Sequence, residues 1–142
     1  MLVSNVHPET GPQALANTPE AALNPLIEGH ARYVADAPRE RDFSASRALS
    51  QAPFAAFLGC ADSRVAPELA FDQGPGDLFV VRVAGNFVTD EGLAGLEYGV
   101  AMLGIKLSLV LGHSGCGGSA PRSPRCRRAI RCRATSRISC ER

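Results

Sequence analysis

The stretch PFAAFLGCADSR, residues 53–64, begins with a continuous apolar run and ends in Gly-Cys followed by charged residues. Such a run is typical of a buried strand where it meets a loop. The same pattern returns in DLFVVRVAGN, residues 77–86, and in LSLVLGH, residues 107–113. Helical segments, 66–74 and 91–103, separate the three strands. This β-α-β-α-β order predicts an α/β fold with a parallel β-sheet core, flanking helices and right-handed crossovers.

A further helix is predicted upstream, in TPEAALNPLIEGHARYV, residues 18–34. Thr18 is a good N-cap and Pro19 suits the first helical position, so the start is well marked. The internal Pro25 leaves two alternatives open, a kinked helix or a restarted one. In segment 91–103, four aliphatic residues fall on one side of the helix: Leu93, Leu96, Val100 and Leu103.

Charge divides the chain near residue 120. Residues 121–142 hold eight of the 15 basic residues, three of the five cysteines and one acidic residue, which is a net charge of +7 against −6 for the remainder. This tail contains no aromatic residue for base stacking, so we do not predict specific nucleic-acid binding. The predicted organisation is a flexible segment 1–17, a domain 18–120 that is incomplete at its C-terminus, and a disordered tail 121–142 rich in Arg, Ser and Cys.

The composition and the N-terminal sequence also indicate the cellular compartment of the protein. The 142 residues are 45% hydrophobic, and no apolar run approaches the length of a membrane span of about 20 residues. The N-terminal sequence lacks the basic start and apolar core of a signal peptide, which predicts a cytoplasmic protein that does not associate with membranes. Its cysteines fit reduced thiols or metal ligands better than a secreted disulfide framework.

Metal-ligating residues follow two of the predicted strands. Cys60 ends the first strand, and His113 and Cys116 follow the third in a glycine-rich HSGCGG turn. If these strands are neighbours in a parallel sheet, the three side chains meet at one edge and form a set that suits Zn²⁺. Asp62 could then occupy or guard the fourth position. The alternative is a pair of buried thiols beside a loop histidine.

Taken together, these motifs resemble the β-class carbonic anhydrases. The resemblance is carried by GCADSRVAPELAFDQGPGDLFVVRVAGN, residues 59–86, and LEYGVAMLGIKLSLVLGHSGCGG, residues 96–118. It runs from about Leu23 to Gly118, and its most diagnostic part is the Cys-x-Asp-x-Arg and His-x-x-Cys pair. It implies reversible hydration of carbon dioxide to bicarbonate and a proton by zinc-bound hydroxide, although this scaffold is also compatible with hydrolysis of CO₂-like molecules such as carbon disulfide.

The resemblance also implies roles for individual residues. It makes Cys60, His113 and Cys116 the zinc ligands. Asp62 and Arg64 become a catalytic carboxylate–guanidinium pair, in which Arg64 keeps the carboxylate ionised and oriented while Asp62 accepts a hydrogen bond from the hydroxide.

A substrate pocket is implied in the same way. Gln51 matches a glutamine that hydrogen-bonds substrate, Phe79 and Tyr98 match an aromatic wall, and the Gly117 amide is a candidate anion donor. From the residues alone, a surface loop residue is the favoured interpretation of Gln51 and a helix packing residue that of Tyr98, and Gly117 is also explained as a turn former. Ala84 stands where relatives carry a larger valine, so a roomier pocket is expected.

The resemblance ends at about Ser119, where the basic tail replaces the further helices and strand expected of the family. A shifted reading frame in a GC-rich gene would give such a string. Two functional classes therefore remain open: a zinc carbonic anhydrase acting on CO₂ and bicarbonate, or a non-catalytic zinc-binding fragment or unstable frameshift product. The resemblance makes a homodimer or higher homo-oligomer the expected state.

Overall fold

The computed structural model describes residues 16–43 and 51–118. The elements are α1 (Pro19–Val34), β1 (Ala55–Cys60), α2 (Pro67–Ala70), β2 (Leu78–Val83), α3 (Asp90–Leu103) and β3 (Ser108–Leu111). Five of them lie within segments predicted from the sequence, α3 begins one residue before its predicted segment, and the predicted order is confirmed. The predicted tail 121–142 and nearly all of the predicted flexible segment 1–17 lie outside the described residues.

The three strands form one parallel sheet in the order β2-β1-β3. In register, Cys60 pairs with Val83 of β2, and the preceding Gly59 pairs with Leu111 of β3. All six residues of the central strand β1 are buried, as expected for a strand with neighbours on both sides. The predicted α/β architecture is therefore confirmed, and β1 and β3 are direct neighbours.

Helix α1 is a single uninterrupted helix despite its internal proline. Thr18 caps it, since its hydroxyl accepts a hydrogen bond from the Ala21 amide at 3.1 Å. Pro25 lies in the second turn, and neither a restart nor a break divides the helix there. The buried face consists of one leucine and two small residues: Ala22, Leu26 and Gly29. Several of its larger apolar side chains, Leu23, Ile27, Tyr33 and Val34, are exposed instead.

The small residues of α1 allow the helix to approach the chain after α2 very closely. A Cβ atom at Gly29 would overlap the backbone carbonyl oxygen of Phe71 and would come within 2.8 Å of the Gln73 side-chain nitrogen. A backbone atom cannot rotate away as a side chain can. Gly29 is therefore required by close packing of α1 against residues 71–73.

Replacing Gly29 with Ala should lower stability by about 3 kcal/mol, because overpacking at a backbone contact forces α1 outward. For a domain of this size, the melting temperature falls by roughly 4–8 °C per kcal/mol. Gly112→Ala is a matched control, since nothing lies within 4 Å of a Cβ there. Thermal unfolding of both variants measures the difference, and equal melting temperatures would contradict the close packing.

A buried ion-pair cluster holds the segment after α1 to the loop before β2. The Asp72 carboxylate accepts hydrogen bonds from Arg32 at 2.6 Å, from Arg41 at 3.4 Å and from the backbone amide of Arg39 at 3.1 and 3.2 Å. The Arg39 guanidinium also donates to the Asp72 carbonyl at 3.1 Å. Burial raises the pKa of Asp72, but the bonds from Arg32 and the Arg39 amide outweigh it, so the pKa lies below its usual range. Asp72 also has a positive φ of 48°, a conformation that Asp and Asn adopt more readily than other non-glycine residues.

Replacing Asp72 with Asn should cost about 3 kcal/mol of stability while keeping the side-chain shape and the tolerated φ, because it leaves arginines facing a neutral group. A lowered folded pKa means that the wild-type contribution is present above the unfolded pKa of about 3.9 and is lost as the pH falls. The variant should thus lose less stability than wild type below about pH 4. Denaturant unfolding at pH 3 and pH 7 measures this, and parallel losses in both proteins would contradict it.

Helix α3 packs on the sheet with its glycine face. Thr89 caps its start by accepting from the Gly92 amide at 3.1 Å, and Gly104 ends it with a left-handed φ of 72°. Cβ atoms at Gly92 and Gly95 would lie 3.3 and 3.6 Å from Val81 of β2. Leu93 and Val100, from the predicted aliphatic side, are exposed. No helix within the described ranges is both long and apolar enough to cross a membrane.

Candidate metal centre

The carboxyl ends of β1 and β3 bring together the three predicted metal ligands. Cys60 is the last residue of β1, and His113 and Cys116 lie in the loop that follows β3. One ligand atom from each residue lies within 4.8 Å of those of the other two, and the two sulfur atoms are 3.7 Å apart. The adjacency of β1 and β3 is what produces this cluster, since 52 residues lie between Cys60 and His113 in the sequence.

Backbone contacts between the turns after β2 and β3 support the cluster from one side. The Gly85 amide donates to the Cys60 sulfur at 3.3 Å, with Gly85 in a glycine-favoured conformation at φ 100°. A Cβ atom at Gly118 would lie only 2.6 Å from that same amide nitrogen. The amide of Gly85, followed by that of Asp62, lowers the pKa of the Cys60 thiol and so favours the thiolate that a metal binds.

His113 presents one ring nitrogen to the cluster. Its Nδ1 lies 3.1 Å from the Ser114 carbonyl oxygen, which fixes the ring orientation. Its Nε2 is buried and has no hydrogen-bond partner within the described part of the chain. A buried nitrogen without a partner is costly, and a metal ion beside the Cys60 and Cys116 sulfurs would satisfy it. The donor set of one imidazole and two thiols thus fits zinc.

Asp62 and Arg64 form a bidentate ion pair beside these ligands. Arg64 Nε donates to Asp62 Oδ1 at 2.9 Å and its Nη2 donates to Oδ2 at 2.7 Å. The Arg64 amide donates to Oδ1 as well, at 3.0 Å. Asp62 Oδ2 also lies 4.0 Å from His113 Nε2. The carboxylate is therefore held beside the ligand cluster by three hydrogen bonds from a single residue.

These contacts keep Asp62 ionised. The side-chain hydrogen bond from Arg64, followed by the bond from its amide, holds the pKa of the Asp62 carboxyl well below its usual range. The same bond raises the pKa of Arg64. An Asp62 that remains a carboxylate throughout the neutral range can accept hydrogen bonds but has no proton to donate.

The structure separates three of the four predicted pocket residues from the ligands. Phe79 pairs in register with Ala56, four residues before Cys60, which is about 13 Å along the strand. Tyr98 packs on Phe79 with ring centroids 6.3 Å apart, and Gln51 precedes β1. These three side chains therefore lie toward the amino end of the sheet, whereas Gly117 directly follows a ligand. Their predicted binding roles remain predictions.

One residue at the site was missed by the sequence analysis. Arg82, near the end of β2, donates hydrogen bonds to the carbonyl oxygens of Cys60, Asp62 and Val65. A charged residue inside the apolar run LFVVRV was the available signal. That signal alone does not distinguish a site residue from one that faces solvent.

The ligand cluster and parallel sheet match a known family. A family model described as carbonic anhydrase matches residues 55–129, which is more than half of the chain. The chain belongs to the carbonic anhydrase family. The carbonic anhydrase 2 of Mycobacterium tuberculosis is 48% identical over 103 residues, which cover 70% of this chain and 50% of that protein. The chain thus spans about half the length of the curated carbonic anhydrases it matches.

The solved structures to which this chain is similar include β-class carbonic anhydrases. The β-carbonic anhydrase of Coccomyxa, in complex with acetazolamide, is 40% identical and superposes with a TM-score of 0.50, covering 67% of this chain and 45% of that one. A tetrameric β-carbonic anhydrase of Sordaria macrospora is 32% identical with a TM-score of 0.50, covering 69% and 49%. The resemblance noted in the sequence is confirmed.

Proposed function

We propose that this protein catalyses the zinc-dependent, reversible hydration of carbon dioxide to bicarbonate and a proton. The observation that carries the proposal is the convergence of Cys60, His113 and Cys116 beside the Asp62–Arg64 ion pair. Family membership supports the same reaction, since the curated relatives are carbonic anhydrases.

Zinc would be held by the Cys60 and Cys116 sulfurs and by His113 Nε2. When bound, zinc supplies Lewis-acid chemistry that lowers the pKa of water, and two anionic thiolates moderate that effect relative to a site of neutral histidines. Three protein ligands leave a fourth position open, which is the arrangement of catalytic rather than structural zinc sites.

Asp62 and Arg64 orient the reacting water. Asp62 accepts a hydrogen bond from it, which directs its oxygen lone pair toward the carbon of CO₂. The bidentate bonds from Arg64 fix the plane of the carboxylate and would keep it from occupying the metal's open position. Because Asp62 remains ionised, the released proton leaves to buffer or solvent rather than being stored on this carboxylate.

The reaction is tested with the full chain after purification and zinc loading. Zinc is measured by atomic emission, and CO₂ hydration by stopped flow with a pH indicator, with the chelated protein as control. About one zinc per chain together with hydration above the buffer rate supports the proposal. Zinc binding without hydration would overturn it in favour of the non-catalytic fragment.

The pocket residues lead to a proposal about assembly. Gln51, Phe79 and Tyr98 lie toward the opposite end of the strands from the metal ligands, so a single chain does not gather all the predicted substrate contacts. A second copy could supply them, as in the predicted homodimer, and the Sordaria macrospora relative is tetrameric. The homodimer and the cytoplasmic location both stay predictions.

A further inference from the structure

Arg82 donates hydrogen bonds to three carbonyl oxygens of the turn that carries Asp62. Its Nε donates to the Cys60 carbonyl at 2.9 Å, and its Nη2 donates to the carbonyls of Asp62 at 2.7 Å and Val65 at 2.8 Å. The three carbonyls belong to Cys60, a predicted metal ligand, to Asp62, whose side chain pairs with Arg64, and to Val65 at the end of the turn. One guanidinium therefore spans the whole turn.

The position of Arg82 in the sheet explains how it reaches the turn. In register it pairs with Gly59, the residue directly before Cys60 and the turn. Within residues 16–43 and 51–118, no carboxylate forms an ion pair with Arg82. Its strong donors are thus directed to the turn backbone and not to an acidic neighbour.

Few other contacts tie the turn to the rest of the fold, and one of them is the bond from Arg64 Nη2 to the Gly115 carbonyl at 3.4 Å. The amides of the turn make four bonds: Ala61 donates to the Val83 carbonyl at 2.8 Å, Asp62 to the Cys60 sulfur, Val65 to the Asp62 carbonyl at 3.2 Å, and Arg64 to the Asp62 carboxylate. The last two lie within the turn itself and do not tie it to the sheet. Arg82 therefore provides three of the contacts that fix the turn relative to β2.

We propose that Arg82 is a positioning residue that holds the 60–65 turn, and with it Asp62, in the orientation needed at the metal centre. The expected effect of Arg82 on catalysis rests on the proposed function, whereas its expected effect on the position of the turn does not. Arg82 contacts neither the ligand atoms nor the Asp62 carboxylate, so it acts through the backbone. The planar guanidinium of arginine carries several N–H donors and can reach all three carbonyls at once. A lysine ammonium is a compact point charge and cannot reproduce this geometry.

The first test is hydrogen exchange, which needs no enzymatic activity. In zinc-loaded Arg82→Met, exchange of the amides in residues 61–65 should accelerate at least about 10-fold, with the melting temperature within a few degrees of wild type. Lys106→Met removes an exposed positive charge elsewhere and should leave this exchange unchanged. Unaltered exchange in Arg82→Met, or a uniform increase across the whole chain, would overturn the positioning role.

The second test is CO₂ hydration combined with chemical rescue. We expect kcat to fall about 10–100-fold in Arg82→Ala, with zinc content retained. Losses of this size follow removal of groups that orient metal ligands without contacting the metal. Guanidinium ion at about 50 mM should restore part of the rate, whereas Arg82→Lys should recover little. Full activity in Arg82→Lys would contradict the need for a fork, and failure of guanidinium with unchanged exchange would contradict the proposal itself. If wild type is inactive, hydrogen exchange still decides the positioning role.

Discussion

Replacing Cys116 with Ser should abolish stoichiometric zinc binding, and hydration with it. A serine hydroxyl is a far weaker zinc ligand than a thiolate, and the remaining Cys60 and His113 are too few to hold the ion. We expect zinc affinity to fall well beyond the roughly 10–100-fold that follows loss of an outer-shell partner. Competition with a chromogenic chelator measures the affinity directly.

The control for this change is Cys132→Ser, in the tail outside the described residues. It removes one thiol from the same chain that is not one of the three predicted ligands. Zinc content should then equal that of wild type. Zinc retained in Cys116→Ser but lost in Cys132→Ser would move the metal site to the tail and remove the proposed centre.

Replacing Arg64 with Ala should reduce kcat by about 100-fold while zinc remains bound. Without the bidentate bonds, Asp62 is free to turn toward the metal and to occupy the position that water needs, and misplacement of a reacting group by about 1 Å is enough for a loss of this size. Arg64→Lys should be almost as inactive, because an ammonium cannot hold both carboxylate oxygens in one plane. Stopped-flow hydration and metal analysis of the same samples give both quantities.

Ser63→Ala is the matched control, since Ser63 lies in the same turn between the two partners and is exposed. It should keep wild-type rate and zinc content. If the Asp62–Arg64 pair had no catalytic role, it would contribute only about 0–1 kcal/mol of stability, as exposed ion pairs do. Arg64→Ala would in that case behave like Ser63→Ala. Equal hydration rates in the two variants would show that the ion pair is only a surface contact.

The strands and the ligand cluster were predictable because their signals are local. Each strand is a short apolar run closed by a glycine turn, and Cys60, His113 and Cys116 stand directly after two of these runs. The rule that parallel strands place their carboxyl ends together then supplies the long-range step. The neighbouring positions of β1 and β3 confirm it.

The remaining features depend on contacts between distant segments. Asp72 looks like an ordinary loop aspartate, and only the fold brings Arg32, Arg39 and Arg41 around it. Arg82 likewise looks like a solvent-facing strand residue until the turn is placed beside it. In helix α3, hydrophobic periodicity marks the aliphatic side, whereas close approach to the sheet selects the glycine side.

The order of the strands sets the order in which the centre can assemble during folding. β1 is first in the chain yet central in the sheet, so β2 and β3 must each dock on it. The chain between β1 and β2 is far shorter than that between β1 and β3, and the entropy of loop closure favours the shorter one first. His113 and Cys116 follow β3, so the three ligands meet only at the last docking step. On the proposed function, zinc would bind after most of the sheet has formed, and we expect it to slow unfolding far more than it speeds folding.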